Sequence, residues 1–160
     1  MAAGRLDHRG VITSCAACGQ HNRLPFAALN KTIRCASCKA ALTAPDAPIE
    51  VTDSAAFRAA SQGSAVPIIV DFWAPWCGPC RMVAPEIERV AASAAGQFLV
   101  LKVNTDALTD IAAEFRIRSI PTLAVLFRGR ELGRLAGARS AGEIRAFADQ
   151  TLADSERRAS

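Results

Sequence analysis

All six cysteines of the chain occur in Cys-x-x-Cys pairs. The pairs are Cys15/Cys18 and Cys35/Cys38 near the N-terminus, and Cys77/Cys80 inside a Trp-Cys-Gly-Pro-Cys segment in the middle of the chain. Two thiols separated by two residues can ligate one metal ion, or they can cycle between a dithiol and a disulfide. Because no cysteine is left over, each pair is expected to have a chemical role.

The two N-terminal pairs have the spacing of a zinc site. Cys18 and Cys35 are separated by 16 residues, a spacing typical of paired Cys-x-x-Cys zinc ligands. Four thiolates complete a tetrahedron and leave no ligand position for a substrate, so we predict one structural zinc ion. Its ligands would be Cys15, Cys18, Cys35 and Cys38. The alternative is a set of disulfides within or between the pairs, which requires an oxidising compartment.

The third pair follows an apolar run and begins a helical pattern. Free N–H groups and the macrodipole at a helix start stabilise a thiolate and lower its pKa, so Cys77 is expected to attack a substrate disulfide. Cys80, one helical turn later, can then attack the Cys77 sulfur and release the reduced substrate. Gly78 allows another chain to approach closely, and Pro79 suits a first helical turn. The pair therefore predicts a dithiol–disulfide oxidoreductase.

Two charged residues, Asp71 and Lys102, interrupt apolar segments that are predicted to be strands. Burial should raise the pKa of Asp71, and a buried ammonium group needs a partner. We predict that the two side chains approach each other behind the Cys77/Cys80 pair. Asp71 would then accept the proton of Cys80 when that thiol becomes the nucleophile. The alternative is an ion pair with a structural role only.

The elements expected to position these residues alternate between helix and strand. An apolar segment over 66–73 indicates a central strand covered on both faces, and a helical stripe follows over 77–95. Further predicted elements are a helix capped by Asp53 or Ser54 that ends at about residue 62, strands over 98–103, 122–127 and 131–136, a helix over 107–115, and a last helix capped by Ser140. This order implies an α/β protein with a mixed sheet between two helix layers.

Composition divides the chain into modules. The predicted order is a flexible N-terminus (1–13), a zinc-binding module (14–42), a proline-containing linker (43–48), a main domain (49–153) and a flexible C-terminus (154–160). The zinc-binding module has few apolar residues, so metal ligation is expected to supply most of its folding free energy.

Composition also argues against several classes of protein. No run of about 18 apolar residues is present, so no transmembrane helix and no membrane partner are expected. The first 15 residues contain no apolar signal segment, which favours a cytoplasmic, reducing location. The net charge of +4 arises within residues 1–48, which hold six basic and two acidic residues. Four zinc-bound thiolates would reduce that charge further, so a nucleic-acid partner is not expected.

The segment from Val70 to Cys80, Val-Asp-Phe-Trp-Ala-Pro-Trp-Cys-Gly-Pro-Cys, closely resembles the active-site segment of the thioredoxin family. Residues 49–153 are similar to one whole thioredoxin domain. The N-terminal double Cys-x-x-Cys narrows the resemblance to the bacterial zinc-containing proteins of the thioredoxin 2 type. The resemblance implies a thioredoxin fold, in which helices flank a mixed central sheet, with a small zinc-ribbon-like module at the N-terminus. Ser119 and Arg128-Gly129-Arg130 depart from the common family pattern.

The resemblance also assigns roles to residues and partners. Cys77 would be the nucleophile and Cys80 the resolving thiol, with Asp71 and Lys102 as the buried pair. The substrate groove would be lined by Trp76, Gly78, Pro79, Ile120, Pro121 and Gly137, and Pro121 would occupy the cis-proline position of the family. The redox group would be the Cys77–Cys80 disulfide without an organic cofactor. The implied partners are disulfide-containing client proteins and an NADPH-dependent flavoprotein thioredoxin reductase, and we expect a monomer.

Three functions remain open at the level of sequence. The leading hypothesis is a cytoplasmic protein-disulfide reductant. An oxidant or isomerase of the same fold is disfavoured by the Gly-Pro dipeptide between the cysteines. In the third hypothesis the zinc module is a redox switch or a chaperone-like binding element, because oxidation of zinc thiolates would release the metal and unfold so small a module.

Overall fold

The computed structural model describes residues 4–159. The described residues form eight strands, four α-helices and one turn of 3₁₀ helix at Phe26–Ala28. The strands are β1 (Arg5–Asp7), β2 (Gly10–Ser14), β3 (His21–Pro25), β4 (Ile49–Glu50), β5 (Ile68–Trp73), β6 (Leu99–Asn104), β7 (Thr122–Phe127) and β8 (Arg130–Ala136). The helices are α1 (Ser54–Gly63), α2 (Gly78–Ser93), α3 (Thr109–Glu114) and α4 (Ala141–Ala159).

The larger sheet has five strands in the order β4-β6-β5-β7-β8. Strands β4, β5 and β6 are parallel, whereas β7 runs antiparallel to β5 and β8 antiparallel to β7. Helices α1 and α3 pack on one face of this sheet, and α2 and α4 pack on the other. The predicted mixed sheet between two helix layers is therefore confirmed. The sequence did not predict β4, because two residues are too few to show alternation.

Strand β5 lies at the centre of the sheet because both of its faces are apolar. Val70 and Phe72 belong to the core beneath α1 and α3, and Ile69 belongs to the core beneath α2 and α4. Side chains alternate along a strand, so Asp71 shares the face of Ile69. Asp71 is only 1% exposed. The central strand therefore carries a carboxyl group into the interior, on the face covered by the helix that contains Cys80.

The connection between β7 and β8 is a two-residue turn. Arg128 and Gly129 both have positive φ values, 54° and 77°, as a type I′ hairpin turn requires. Strand β8 thus begins at Arg130, one residue before the predicted start, and Arg128 adopts a conformation usually left to Gly or Asn.

The two termini are more ordered than predicted. Strands β1 and β2 occupy most of the segment over 4–13, where a flexible terminus was expected, and they pair with each other and with β3. Their turn is closed by the Asp7 carboxylate, which accepts N–H groups from Arg9 and Gly10 and the Arg23 guanidinium. At the other end, α4 continues to Ala159. Residues 1–3 and residue 160 lie outside the described residues.

The N-terminal module does not rely on a core of its own. Val11, Leu24, Phe26 and Leu29 belong to the same apolar cluster as residues of β4, β5, β6 and α1. The Ala65 N–H also donates to the Phe26 carbonyl at 2.9 Å. Burial against the main domain therefore contributes folding free energy to the module, in addition to the metal ligation that the sequence predicts.

Among the described residues, no helix combines the length and the apolar character needed to cross a membrane.

Candidate active site and metal centre

Cys77 and Cys80 form a disulfide at the point where β5 gives way to α2. Cys77 is the N-cap residue of α2, and the Cys80 N–H donates to the Cys77 sulfur at 3.2 Å. Each cysteine is 4% exposed, so solvent exposure does not distinguish them. The Cys80 N–H group does distinguish them, because in the reduced protein it would stabilise a thiolate on Cys77 and not on Cys80.

Two loops far apart in the sequence meet beside the disulfide. The Cys77 sulfur lies 3.7 Å from the Ile120 carbonyl oxygen, and the Ile120–Pro121 peptide bond is cis. The Gly137 N–H donates to the Pro121 carbonyl at 2.9 Å. Ile120, Pro121 and Gly137 were predicted to line a substrate groove, and the structure brings all three to the Cys77 side of the site.

The surface around the disulfide is open and apolar. Trp76 is 68% exposed, and Gly78 and Pro79 are exposed as well. A side chain at Gly78 would meet no atom within 4 Å, so the backbone here is accessible to another chain. The Trp76 indole N–H donates to the Asp106 carboxylate at 2.9 Å, which fixes the orientation of the ring.

Asp106 was missed by the sequence analysis, although a signal for it exists. It follows β6, and the carboxyl ends of the parallel strands β5 and β6 lie at the same edge of the sheet. Polar residues directly after β6 are therefore brought close to residues directly after β5.

Asp71 and Lys102 are in register on the adjacent strands β5 and β6, and the charge of Lys102 acts on Asp71, so the two residues are neighbours but not an ion pair. No ion pair within 4.0 Å joins them among the described residues, and neither Asp71 carboxyl oxygen has a hydrogen-bond partner. The Lys102 ammonium instead lies over the Trp73 ring, 4.8 Å from its centroid. The two residues do lie on neighbouring strands, but the Lys102 ammonium forms neither a hydrogen bond nor an ion pair with the Asp71 carboxyl group.

Burial raises the pKa of Asp71 to about 7, an effect that the charge of Lys102 partly offsets and the charge of Glu50 reinforces. Glu50 was also missed by the sequence analysis. Its carboxylate accepts the Trp73 indole N–H at 3.2 Å. Asp71 is thus a carboxyl group that can bind and release a proton near neutral pH, on the face of the sheet that α2 covers.

We expect Asp71→Asn to stabilise the oxidised protein, increasingly so as the pH rises. The pKa of Asp71 is raised from 3.8 to about 7 in the folded protein, so stability is lost as the pH rises through this interval. A tenfold change in proton affinity is worth about 1.36 kcal/mol, so the full loss would be roughly 4 kcal/mol. Urea unfolding of both proteins at pH 5 and pH 8.5 measures the difference. A difference that is equal at the two pH values would show that ionisation of Asp71 is not its cause.

The four N-terminal cysteines converge on one point. Their sulfur atoms all lie within 4.8 Å of one another, with Cys15 and Cys38 at 3.7 Å and Cys18 and Cys35 at 3.6 Å. A tetrahedral zinc ion with Zn–S bonds of about 2.3 Å would separate its sulfur ligands by about 3.8 Å. The donor set and its spacing therefore fit zinc.

The two cysteine turns have the same backbone geometry. Gly19 and Lys39 both have positive φ, 78° and 66°. Their N–H groups donate to the carbonyls of Cys15 and Cys35 at 2.8 and 3.0 Å, respectively. The second turn therefore adopts the same form as the first, with lysine at the position that glycine occupies there.

Cys35 is surrounded by hydrogen-bond donors. The Asn22 side chain and the Ser37 N–H each lie 3.4 Å from its sulfur. The Asn22 side chain also accepts the Ala36 N–H at 3.0 Å. The Cys38 N–H, followed by Asn22, lowers the pKa of Cys35 to about 6. The Asn22 side chain therefore links β3 to the second cysteine turn through hydrogen bonds. The sequence did not predict this role, because an isolated asparagine belongs to no recognisable spacing pattern.

Comparison with known proteins identifies the family. Residues 48–150 match the family model described as Thioredoxin, and the chain belongs to the thioredoxin family. Thioredoxin C-3 of Corynebacterium nephridii is 37% identical over 143 residues, which cover 89% of this chain and 96% of that protein. The bifunctional thioredoxin reductase/thioredoxin of Mycobacterium leprae (strain TN) is 45% identical over 91 residues, 57% of this chain and 20% of that protein.

The fold is shared with solved structures as well. A crystal structure of Malassezia sympodialis thioredoxin has a TM-score of 0.59 at 29% identity and covers 66% of this chain and 90% of that chain. The family match and the fold together define the protein as a thiol–disulfide oxidoreductase. Its N-terminal three-stranded sheet with four converging cysteines is consistent with a zinc-ribbon-like module, as in proteins of the thioredoxin 2 type.

Proposed function

We propose that the protein reduces disulfides of client proteins through Cys77 and Cys80. The observation that carries this proposal is the Cys77 sulfur at the N-cap of α2, which accepts a backbone N–H and lies 3.7 Å from the Ile120 carbonyl oxygen. The Cys77 thiolate attacks a client disulfide, and one client sulfur leaves as a thiolate. Cys80 then attacks the Cys77 sulfur, so that the client departs with both thiols reduced and the Cys77–Cys80 disulfide forms.

Asp71 is proposed to accept the proton that Cys80 loses in the second step. It lies on the face of the sheet covered by α2, and its pKa of about 7 matches a group that exchanges a proton near neutral pH. Trp76, Gly78, Pro79, Ile120, Pro121 and Gly137 are proposed to contact an extended client segment. The exposed surface at Trp76, Gly78 and Pro79 contains both apolar atoms and accessible backbone, as recognition of an extended peptide requires.

We propose that Cys15, Cys18, Cys35 and Cys38 bind one structural zinc ion. Four sulfur ligands would fill the coordination shell, so the ion would cross-link the two cysteine turns and perform no chemistry on a substrate. The groups that donate to Cys35 support this assignment, because such donors orient metal ligands and stabilise a thiolate.

An NADPH-dependent flavoprotein thioredoxin reductase is the proposed source of electrons. The family implies such a partner, and the Mycobacterium leprae relative bears a name that joins a reductase and a thioredoxin in one chain. A cytoplasmic location and a monomeric state are proposed together with this role.

The reduction potential of the Cys77–Cys80 pair tests the proposed direction of electron flow. Trp73 and Trp76 are the only tryptophans, so their fluorescence in redox buffers should follow the pair while zinc is retained. We expect a value near about −270 mV, as for a reductant. A Cys77→Ser/Cys80→Ser double variant, which should show no transition, controls for oxidation of the N-terminal cysteines. A value at or above roughly −180 mV would favour an oxidant or isomerase.

A further inference from the structure

Three charged side chains form a row across the parallel part of the sheet. Glu50 in β4 is in register with Lys102 in β6, and Lys102 is in register with Asp71 in β5. Neighbouring strands lie about 4.8 Å apart, and residues in register point to the same face. One ammonium group therefore lies between two carboxyl groups, on the face of the sheet that α2 covers.

The contacts within this row are unequal. Asp71 is buried, and neither of its carboxyl oxygens has a hydrogen-bond partner. Glu50 accepts the Trp73 indole N–H, and the Lys102 ammonium lies over the ring of the same tryptophan. Trp73 thus connects Lys102 with Glu50 at the outer side of the row, while Asp71 at the inner side is left without a partner.

We propose that Glu50 is a positioning residue for disulfide exchange: it competes with Asp71 for Lys102 and so leaves Asp71 free to take up and return the proton of Cys80. This inference rests on the proposed function of Cys77 and Cys80. In the step concerned, the proton passes from the Cys80 thiol to an Asp71 carboxylate oxygen. The electron pair left on the Cys80 sulfur then displaces the client thiolate from Cys77.

The surroundings of Asp71 contain few other charges. The charged side chains that act on Asp71 are Lys102 from β6 and Glu50 from β4. Helix α2, which covers this face of the sheet, carries the buried Cys80. Its partner in β7 is the apolar Leu123. Burial is the largest cause of the raised pKa of Asp71, Lys102 lowers that pKa, and Glu50 raises it. These directions agree with an ammonium group shared between two carboxyl groups.

The proposal predicts opposite effects on Asp71 for substitutions of the other two members of the row, Glu50 and Lys102. Glu50→Gln removes a like charge and leaves Lys102 available to Asp71, so the pKa of Asp71 should fall. The glutamine amide oxygen can still accept the Trp73 indole N–H, so the tryptophan should keep its place. Lys102→Met removes the only cation of the row, so the pKa of Asp71 should rise.

The titration of the Asp71 carboxyl carbon, followed by ¹³C NMR in the oxidised, zinc-loaded full chain, tests this proposal without any client. In Glu50→Gln we expect the titration midpoint of Asp71 to move to lower pH, which corresponds to a proton affinity at least threefold weaker than in the wild type. The same substitution should have a smaller effect in a Lys102→Met background, because the competition no longer exists there. Glu88→Gln, which removes an exposed carboxylate on α2, is the matched control and should leave the midpoint unchanged.

An Asp71 midpoint that is the same in Glu50→Gln and in the wild type would overturn the proposal. So would an equal effect of Glu50→Gln with and without Lys102. The pH profile of client reduction should shift in the same direction as the midpoint, and a profile that does not move would rule out the link to Cys80. If the wild type reduces no client at all, the proposed function fails, whereas the titration still reports on the competition for Lys102.

Discussion

Cys77→Ser is expected to abolish client reduction, with a loss of more than about a thousandfold, as expected when a nucleophile is removed. Cys80→Ser should instead attack a client and remain attached to it. The physical reason is the asymmetry of the site: the Cys80 N–H donates to the Cys77 sulfur, and the same sulfur lies beside the Ile120 carbonyl oxygen. Mass spectrometry under non-reducing conditions, after mixing each reduced variant with a disulfide-containing client, measures the outcome.

A mixed disulfide should accumulate with Cys80→Ser and should be absent with Cys77→Ser. The wild type serves as the control that releases the reduced client. If Cys77→Ser trapped the client and Cys80→Ser did not, the roles of nucleophile and resolving thiol would be reversed. If neither variant trapped a client, the assignment of exchange chemistry to this pair would be wrong.

Removal of zinc is expected to destabilise the whole chain as well as the N-terminal module. Val11, Leu24 and Phe26 are almost fully buried in a cluster that includes Ile49 and Phe57 of the main domain. Each such side chain that returns to water costs about 1.5–3 kcal/mol, so the free energy of unfolding should fall by several kcal/mol. Urea unfolding, followed by the fluorescence of tryptophans that both lie in the main domain, measures this effect before and after chelation.

Chelation should release one zinc ion per chain and make four thiols reactive, and added zinc should restore the original unfolding midpoint. A purified protein without stoichiometric zinc would contradict the metal assignment. An unchanged unfolding midpoint after zinc loss would show that the stability of the main domain does not depend on the folded state of the module. An apo protein that prevents aggregation of an unfolded client, where the zinc-loaded protein does not, would favour the redox-switch alternative.

The parts of the structure that the sequence predicted are those with strong local signals. The apolar run before Cys77 indicated β5, and the helical stripe after it indicated α2. The spacing of the N-terminal cysteines predicted their convergence, because each Cys-x-x-Cys turn is a local structure that needs only one partner turn. Asp71 and Lys102 were placed on neighbouring strands because each is a charged residue within an apolar run.

The parts that the sequence did not predict depend on long-range register. Glu50 reaches the charged row only because the two residues of β4 pair with β6 at Lys102, and so short a strand has no pattern of its own. Asp106 contacts Trp76 through the arrangement of two parallel strands. The short strands β1 and β2 lie where the sequence predicts a flexible terminus, because their stability comes from packing on the main domain and not from intrinsic propensity.

The position of the N-terminal module also bears on how the molecule avoids aggregation. A sheet edge exposes backbone N–H and C=O groups that can pair with a strand of another molecule. One edge of the five-stranded sheet is β4, which has only two residues. The N-terminal module packs beside β4, and a Cβ atom added at Gly4 would lie 3.5 Å from the Ile49 side chain. The module therefore covers part of this edge and leaves less of it open to a strand of another molecule.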